Sequence, residues 1–161
     1  MKGRKIIPPD EVGLHCEQLR AEGHKLVFTN GVFDLLHAGH VHYLREARAL
    51  GTQLIVGLNT DESTRKIKGE KRPLISLSER AEVLAAMEMV DCVTWFEEES
   101  PKNLIRLVKP DILVKGGDWP IDQIAGREFV QSYGGQVFSL PFLDGNSTTS
   151  IVESILKLPE P

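Results

Sequence analysis

Cysteine is scarce in this chain of 161 residues: only Cys16 and Cys92 occur, far apart in the sequence. That excludes a disulfide framework or a cysteine-based metal box and fits a reduced setting. Long apolar runs are missing as well. The longest are stretches such as LIVGL (54–58), far below the roughly 20 residues a membrane-spanning helix needs. The opening MKGRKIIPPDE has basic residues with no apolar segment behind them, so no signal peptide is expected and a cytoplasmic location is the default. An excess of positive charge is absent too. Nineteen basic against 23 acidic side chains leave a net charge of −4, which argues against bulk binding to nucleic acid or an anionic membrane. Nor is there an internal repeat, a long linker or a block of like charges.

What is present is the composition of a globular domain, 41% hydrophobic and 26% charged. The length fits one domain over 1–161, with a leading extension (1–24) and a core over 25–155. Apolar, β-prone segments alternate with helical patterns. Strands are expected at 26–29, 53–58, 92–96, 111–117 and 136–141, and helices near 10–22, 39–50, 61–68, 77–88, 101–108 and 148–157. Ser76 and Glu79 have the spacing of a capping box, and Pro101 suits the first position of its helix. The strands are nearly continuous in apolar residues, as a sheet buried on both faces requires. The expected fold is therefore α/β: a single doubly wound, Rossmann-like domain with a five-stranded parallel sheet.

In such a sheet ligands bind beyond the carboxyl ends of the strands, where strand order reverses. That directs attention to residues 30–40, 59–68, 115–118 and 146–150. The sharpest signal is NGVFDLLHAGH, from Asn30 to His40. His37 and His40 lie three apart at a helix opening, on one face of its first turn. Unpaired N–H groups there favour an anion, and Gly39 lets a phosphate approach the backbone. The other readings are a metal site, which lacks a third ligand in sequence, or two incidental surface histidines. His15, His24 and His42 have no supporting motif, and Trp95, Phe96 and Cys92 read as packing residues. Trp119 suits either stacking on substrate or packing on its loop.

TNGVFDLLHAGH resembles the HxGH signature of the nucleotidyltransferase superfamily that includes cytidylyltransferases. The segments VGLNTDESTRKIKGEKRP, ERAEVLAAMEMVD, DILVKGGDW and GNSTTSIVESI extend the likeness to the heptose 1-phosphate adenylyltransferases of lipopolysaccharide inner-core synthesis. It covers nearly everything from Lys25 to Ile155. In that family the domain is often fused to a sugar kinase, and without one this chain looks like the stand-alone form. Val32 stands where members commonly carry Cys.

The resemblance implies transfer of AMP from ATP to D-glycero-β-D-manno-heptose 1-phosphate, giving ADP-heptose and pyrophosphate. It implies that His37, His40 and Lys115 act in catalysis. Asn30, Gly31, Val32, Phe33, Gly39, Arg65, Lys68, Ser147, Thr148 and Thr149 would hold the nucleotide and its phosphates. Ser147, Thr148 and Thr149 equally suit plain N-capping of the last helix, and Lys115 a solvent-facing strand end. Asp34, Asn59, Gly117 and Asp118 are expected on the sugar-phosphate side or near Mg²⁺, which would be held mainly by phosphates without a dedicated protein cage. Asp34 equally suits a turn or a helix cap. The expected partners are small molecules, ATP and the sugar phosphate, and superfamily members are often homodimers. The rival readings are a CTP-dependent cytidylyltransferase acting on a small alcohol phosphate such as glycerol 3-phosphate, and a non-catalytic nucleotide-binding regulatory module.

Overall fold

The computed structural model describes residues 4–117, 119–141 and 147–159. Helix α1 (Pro9–Ala21) leads into β1 (Leu26–Gly31), α2 (Ala38–Ala49) and β2 (Gln53–Asn59). Then follow α3 (Asp61–Lys68), α4 (Leu77–Ala86), β3 (Cys92–Phe96) and α5 (Lys102–Val108). Strand β4 (Ile112–Gly116), a 3₁₀ turn (Ile121–Gln123), α6 (Arg127–Ser132), β5 (Gln136–Leu140) and α7 (Thr148–Leu156) complete the order.

The five strands form one parallel sheet in the order β3-β2-β1-β4-β5. Alternating side chains feed two cores, one on each face. Phe28, Ile55 and Leu113 pack with Val12 and Cys16 of α1 and Ile105 of α5. Val27, Val56 and Val114 pack on the other face with Leu44 of α2 and Leu84 of α4. Strand order reverses between β1 and β4, and the crevice at their carboxyl ends is where this topology places a ligand.

Every expected strand and helix is present, with boundaries moved by a residue or two. Ser76 and Glu79 form the capping box: the Ser76 N–H donates to Glu79 Oε2 at 3.2 Å. Helix α4 ends at Ala86 rather than 88, because Met87 turns extended. The Lys5 ammonium there donates to the Met87 and Val90 carbonyls (3.0 and 2.5 Å). Pro101 sits at the N-cap of α5 and not inside it. Two elements have no counterpart in the sequence reading. Helix α6 is six residues long and follows Gly126, which has φ +86° and makes no side-chain cap; the 3₁₀ turn is a single turn. Residues 5–7 also run beside β3, with the Ile7 N–H donating to the Val93 carbonyl at 2.9 Å and the Val93 N–H to that of Lys5 at 2.8 Å.

Arg80 is a charged residue in the middle of this packing, its side chain fully buried. Nε donates to the Ile75 carbonyl (3.0 Å), Nη1 to that of Val32 (2.6 Å), and Nη2 to that of Asn59 (2.9 Å) and to Asp61 Oδ1 (2.7 Å). One guanidinium thus ties the exits of β1 and β2, the start of α3 and the approach to α4. Arg80→Met would leave three carbonyls and a carboxylate without this partner. We expect a loss of about 3–5 kcal/mol of unfolding free energy, read as a fall in the urea midpoint at unchanged m-value.

Candidate active site

The loop leaving β1 is held from two sides. Arg80 grips the Val32 carbonyl. Asp34, with a side chain only 7% exposed, accepts from Arg72 Nη1 (3.0 Å), the Leu74 N–H (2.8 Å) and the Ile75 N–H (2.9 Å). Burial alone would raise the Asp34 pKa, but the Leu74 and Ile75 hydrogen bonds and the Arg72 guanidinium outweigh it and hold it below the ordinary value. Its oxygens therefore fasten the 72–75 segment to the β1 loop. The helix-capping alternative for Asp34 is corrected, since the N-cap of α2 is His37. Between the two anchors Phe33 takes a left-handed backbone, φ +50°. Its ring lies over Gly31, where a Cβ would come within 3.0 Å of it.

The two signature histidines cap their own helix. His37 Nδ1 accepts from the Gly39 N–H at 3.2 Å, and His40 Nδ1 accepts from the His37 N–H at 3.3 Å. The rings stand 4.0 Å apart between centroids. A nitrogen that accepts carries no proton, so each neutral ring holds its hydrogen on Nε2, distal to the helix backbone. Burial lowers the pKa of His37, and burial together with repulsion from His37 lowers that of His40 to about 4. At neutral pH the mouth of α2 thus offers two Nε2–H donors beside the positive end of the helix dipole. Below, the Tyr43 hydroxyl bonds that of Thr29 and reaches the Val114 carbonyl at 3.5 Å, seating α2 on β1 and β4.

A second helix mouth adjoins the first. The Ser147 hydroxyl caps α7, accepting from the Ser150 N–H at 3.0 Å. The Thr148 hydroxyl donates to the Leu35 carbonyl (3.2 Å), fastening α7 to the β1–α2 loop. Lys115, at the end of β4, has its ammonium 5.8 Å from the centre of the Trp119 ring. No carboxylate pairs with it among the described residues. Burial, and then the nearby Lys68 charge, lower its pKa. Ser139 fixes the turn that follows, donating to the Gly117 carbonyl (2.5 Å) and accepting from the Trp119 N–H (3.0 Å).

These features border one cavity of about 910 Å³. Of the residues singled out in the sequence, Asn30, Gly31, Val32, Phe33, Asp34, His37, His40, Asn59, Lys68, Lys115, Ser147, Thr148 and Thr149 all line it. Gly39 is buried in the first turn of α2. Arg65 is exposed on α3 and outside the lining, and Gly117 forms the turn behind it. Asp118 lies outside the described residues. Arg72, Glu99, Ser100 and the Gln123–Ala125 stretch also border the cavity and were not singled out. Of these only Arg72 had a signal, a further cation in the Lys68-to-Pro73 segment. His24 and His42 sit elsewhere, against Thr52 and Glu46. Among the described residues no helix is long and apolar enough to cross a membrane, and no three His, Cys, Asp or Glu side chains are grouped to hold a metal.

Residues 28–153 match the model of the cytidylyltransferase-like family. The chain belongs to that family. It is 56% identical over 138 residues to the bifunctional protein HldE of Geobacter sulfurreducens, covering 86% of this chain and 28% of that protein. It is 53% identical over 153 residues to HldE of Pelobacter propionicus, covering 95% and 31%. The chain therefore spans about three-tenths of the length of these curated relatives. Among solved structures, a lipopolysaccharide core biosynthesis protein from Thermoplasma volcanium matches with TM-score 0.61 and 30% identity, over 77% of this chain and all of that one. Pantoate-beta-alanine ligase from Francisella tularensis matches with TM-score 0.60 at 15% identity, over 94% of this chain and 77% of that one, a likeness of fold alone.

The cap geometry has a direct spectroscopic consequence. Long-range ¹H–¹⁵N spectra at pH 7 should show both His37 and His40 as Nε2–H tautomers, with His40 titrating at about 4. The unfolded ring takes up its proton near 6.5 and the folded one only near 4. Stability should accordingly fall as pH drops through that window and level off below it. Urea midpoints should show a shallower fall in His40→Gln.

Proposed function

We propose that the chain transfers the AMP group of ATP to D-glycero-β-D-manno-heptose 1-phosphate, releasing pyrophosphate. The observation that carries this reading is the pair of Nε2–H imidazoles at the mouth of α2, joined through Thr148 and Leu35 to the mouth of α7 on one cavity. Donors from two helix starts suit the triphosphate. Lys68 and Lys115 supply positive charge on the same cavity. The likeness of the segments described above to heptose 1-phosphate adenylyltransferases supports the acceptor, as does the match to a lipopolysaccharide core biosynthesis protein.

The chemistry needs no strong base. A phosphate monoester has its second pKa near ~6, so the acceptor's oxygen is already anionic at neutral pH. That oxygen forms a bond to the α-phosphorus, the bond from the α-phosphorus to the bridging oxygen breaks, and its electron pair leaves with pyrophosphate. The protein holds two anions in line and stabilises the charge that develops. Neutral imidazoles donating from Nε2 do this without exchanging a proton. Mg²⁺ held mainly by the phosphates of the triphosphate would supply neutralisation of their negative charge. Asp34 is occupied by its own donors, which leaves Glu99 as the carboxylate bordering the cavity among the described residues. A cytoplasmic setting, where ATP is at hand, goes with this reading, as does a homodimer as the assembly.

Pyrophosphate release with ATP and heptose 1-phosphate tests it. Wild-type protein should turn over this pair, and His40→Ala should lower kcat by about 10²–10³-fold while keeping its fold. Turnover with CTP and glycerol 3-phosphate but none with ATP and the heptose would replace the reading with the cytidylyltransferase. Nucleotide binding without any turnover would replace it with a regulatory module.

A further inference from the structure

Trp119 is 47% exposed, yet its backbone is held on several sides. Where β4 meets β5, Lys115 pairs in register with Ser139 and Gly116 with Leu140. The ladder runs one residue further, the Gly117 N–H donating to the Leu140 carbonyl at 2.8 Å. There the chain turns through a left-handed Gly117, φ +99°. The Gly117 carbonyl accepts from the Ser139 hydroxyl (2.5 Å) and from the Trp119 N–H (2.9 Å), and that N–H also donates to Ser139 Oγ (3.0 Å). Pro120 follows and confines the Trp119 backbone to extended conformations. A large aromatic side chain is thus fixed at its root and left half in the open on the border of the cavity.

What the indole meets is a cation. Lys115 Nζ lies 5.8 Å from the ring centre, within the roughly 6 Å over which a ring quadrupole attracts an ammonium. Lys115 and Lys68 border the same cavity, and their like charges repel. Among the described residues no carboxylate pairs with Lys115. A carboxylate would occupy the ammonium's donors and cancel its charge, so an incoming phosphate would have to displace it. An aromatic face holds the cation and leaves both its charge and its donors to the ligand. The geometry points to Trp119 as a positioning residue for Lys115: the indole seats the ammonium at the cavity against repulsion from Lys68, and Ser139 locks the turn that carries the ring. This rests on the reading of the cavity as a triphosphate site and deepens it.

Inorganic triphosphate, which carries no base, separates this role from stacking on the nucleotide. In titration calorimetry Trp119→Leu should weaken triphosphate and ATP by the same factor, about five- to thirtyfold, and Trp119→Phe should restore most of the loss. In a Lys115→Met background Trp119→Leu should change triphosphate binding by less than about twofold. Without ligand, the emission of Trp119, taken as the part lost in Trp119→Leu, should shift when Lys115→Met removes the ammonium. Weaker ATP binding with unchanged triphosphate binding would assign the ring to the nucleobase and overturn the proposal. An undiminished effect of Trp119→Leu in the Lys115→Met background would overturn it too, as would an unchanged emission. Wild-type protein that binds triphosphate but releases no pyrophosphate from ATP and the heptose phosphate would sink the transfer reading and leave the role of Trp119 standing. If it binds neither triphosphate nor ATP, the triphosphate reading fails, and the emission shift alone decides whether Trp119 seats Lys115.

Discussion

Burial of one guanidinium sets the shape of the ligand edge. A charge taken out of water is tolerated only where its hydrogen-bonding capacity is met, and Arg80 meets it with carbonyls from three separate segments and the Asp61 carboxylate. Those acceptors are the ends of β1 and β2 and the approach to α4, which have no regular ladder of their own to fix them. The planar fork of Arg can span such a set, whereas a Lys ammonium cannot. Asp34 completes the frame from the opposite direction by taking the N–H groups of Leu74 and Ile75. Ile75 is thus held by its N–H through Asp34 and by its carbonyl through Arg80. The loop carrying the histidine signature therefore has little freedom, and the left-handed Phe33 is sustained by anchors on both sides.

On this frame the helix mouths do the electrostatics. The first turn of α2 has no acidic residue, so no carboxylate on the helix itself competes with an incoming anion. The imidazoles satisfy part of the turn through Nδ1 and project the remaining donor capacity through Nε2. Thr148 brings α7 against the same loop. Cations complete the arrangement at the exits of α3 and β4.

Much of this was legible in the residues. Apolar runs such as those at 53–58 and 92–96 read as buried parallel strands because nothing polar interrupts them, and the spacing of His37 and His40 placed them on a helix start before any coordinates. What escaped has physical reasons. Helix α6 is too short for a periodic pattern to emerge, and its N-cap is a glycine without a capping side chain. Arg80 carried no signal of its own, since three of its four acceptors are backbone carbonyls, which any sequence possesses. Asp34 read as fixing the turn, holding substrate or capping a helix, and the partners it holds lie about 40 residues away, where the sequence could not show them. Contacts of this kind, made to main-chain atoms across long separations, leave no pattern in the chain itself.

The reciprocal cap has a wider meaning for how these imidazoles can vary. Each ring's outward proton is fixed by a contact at its inward nitrogen, and one of those contacts belongs to the other histidine's own backbone. The two residues consequently behave as a single part. Damage to one is felt by the other, so their separate contributions do not add. A replacement at either place must reproduce an inward acceptor and an outward donor at once, which the two ends of an amide can imitate.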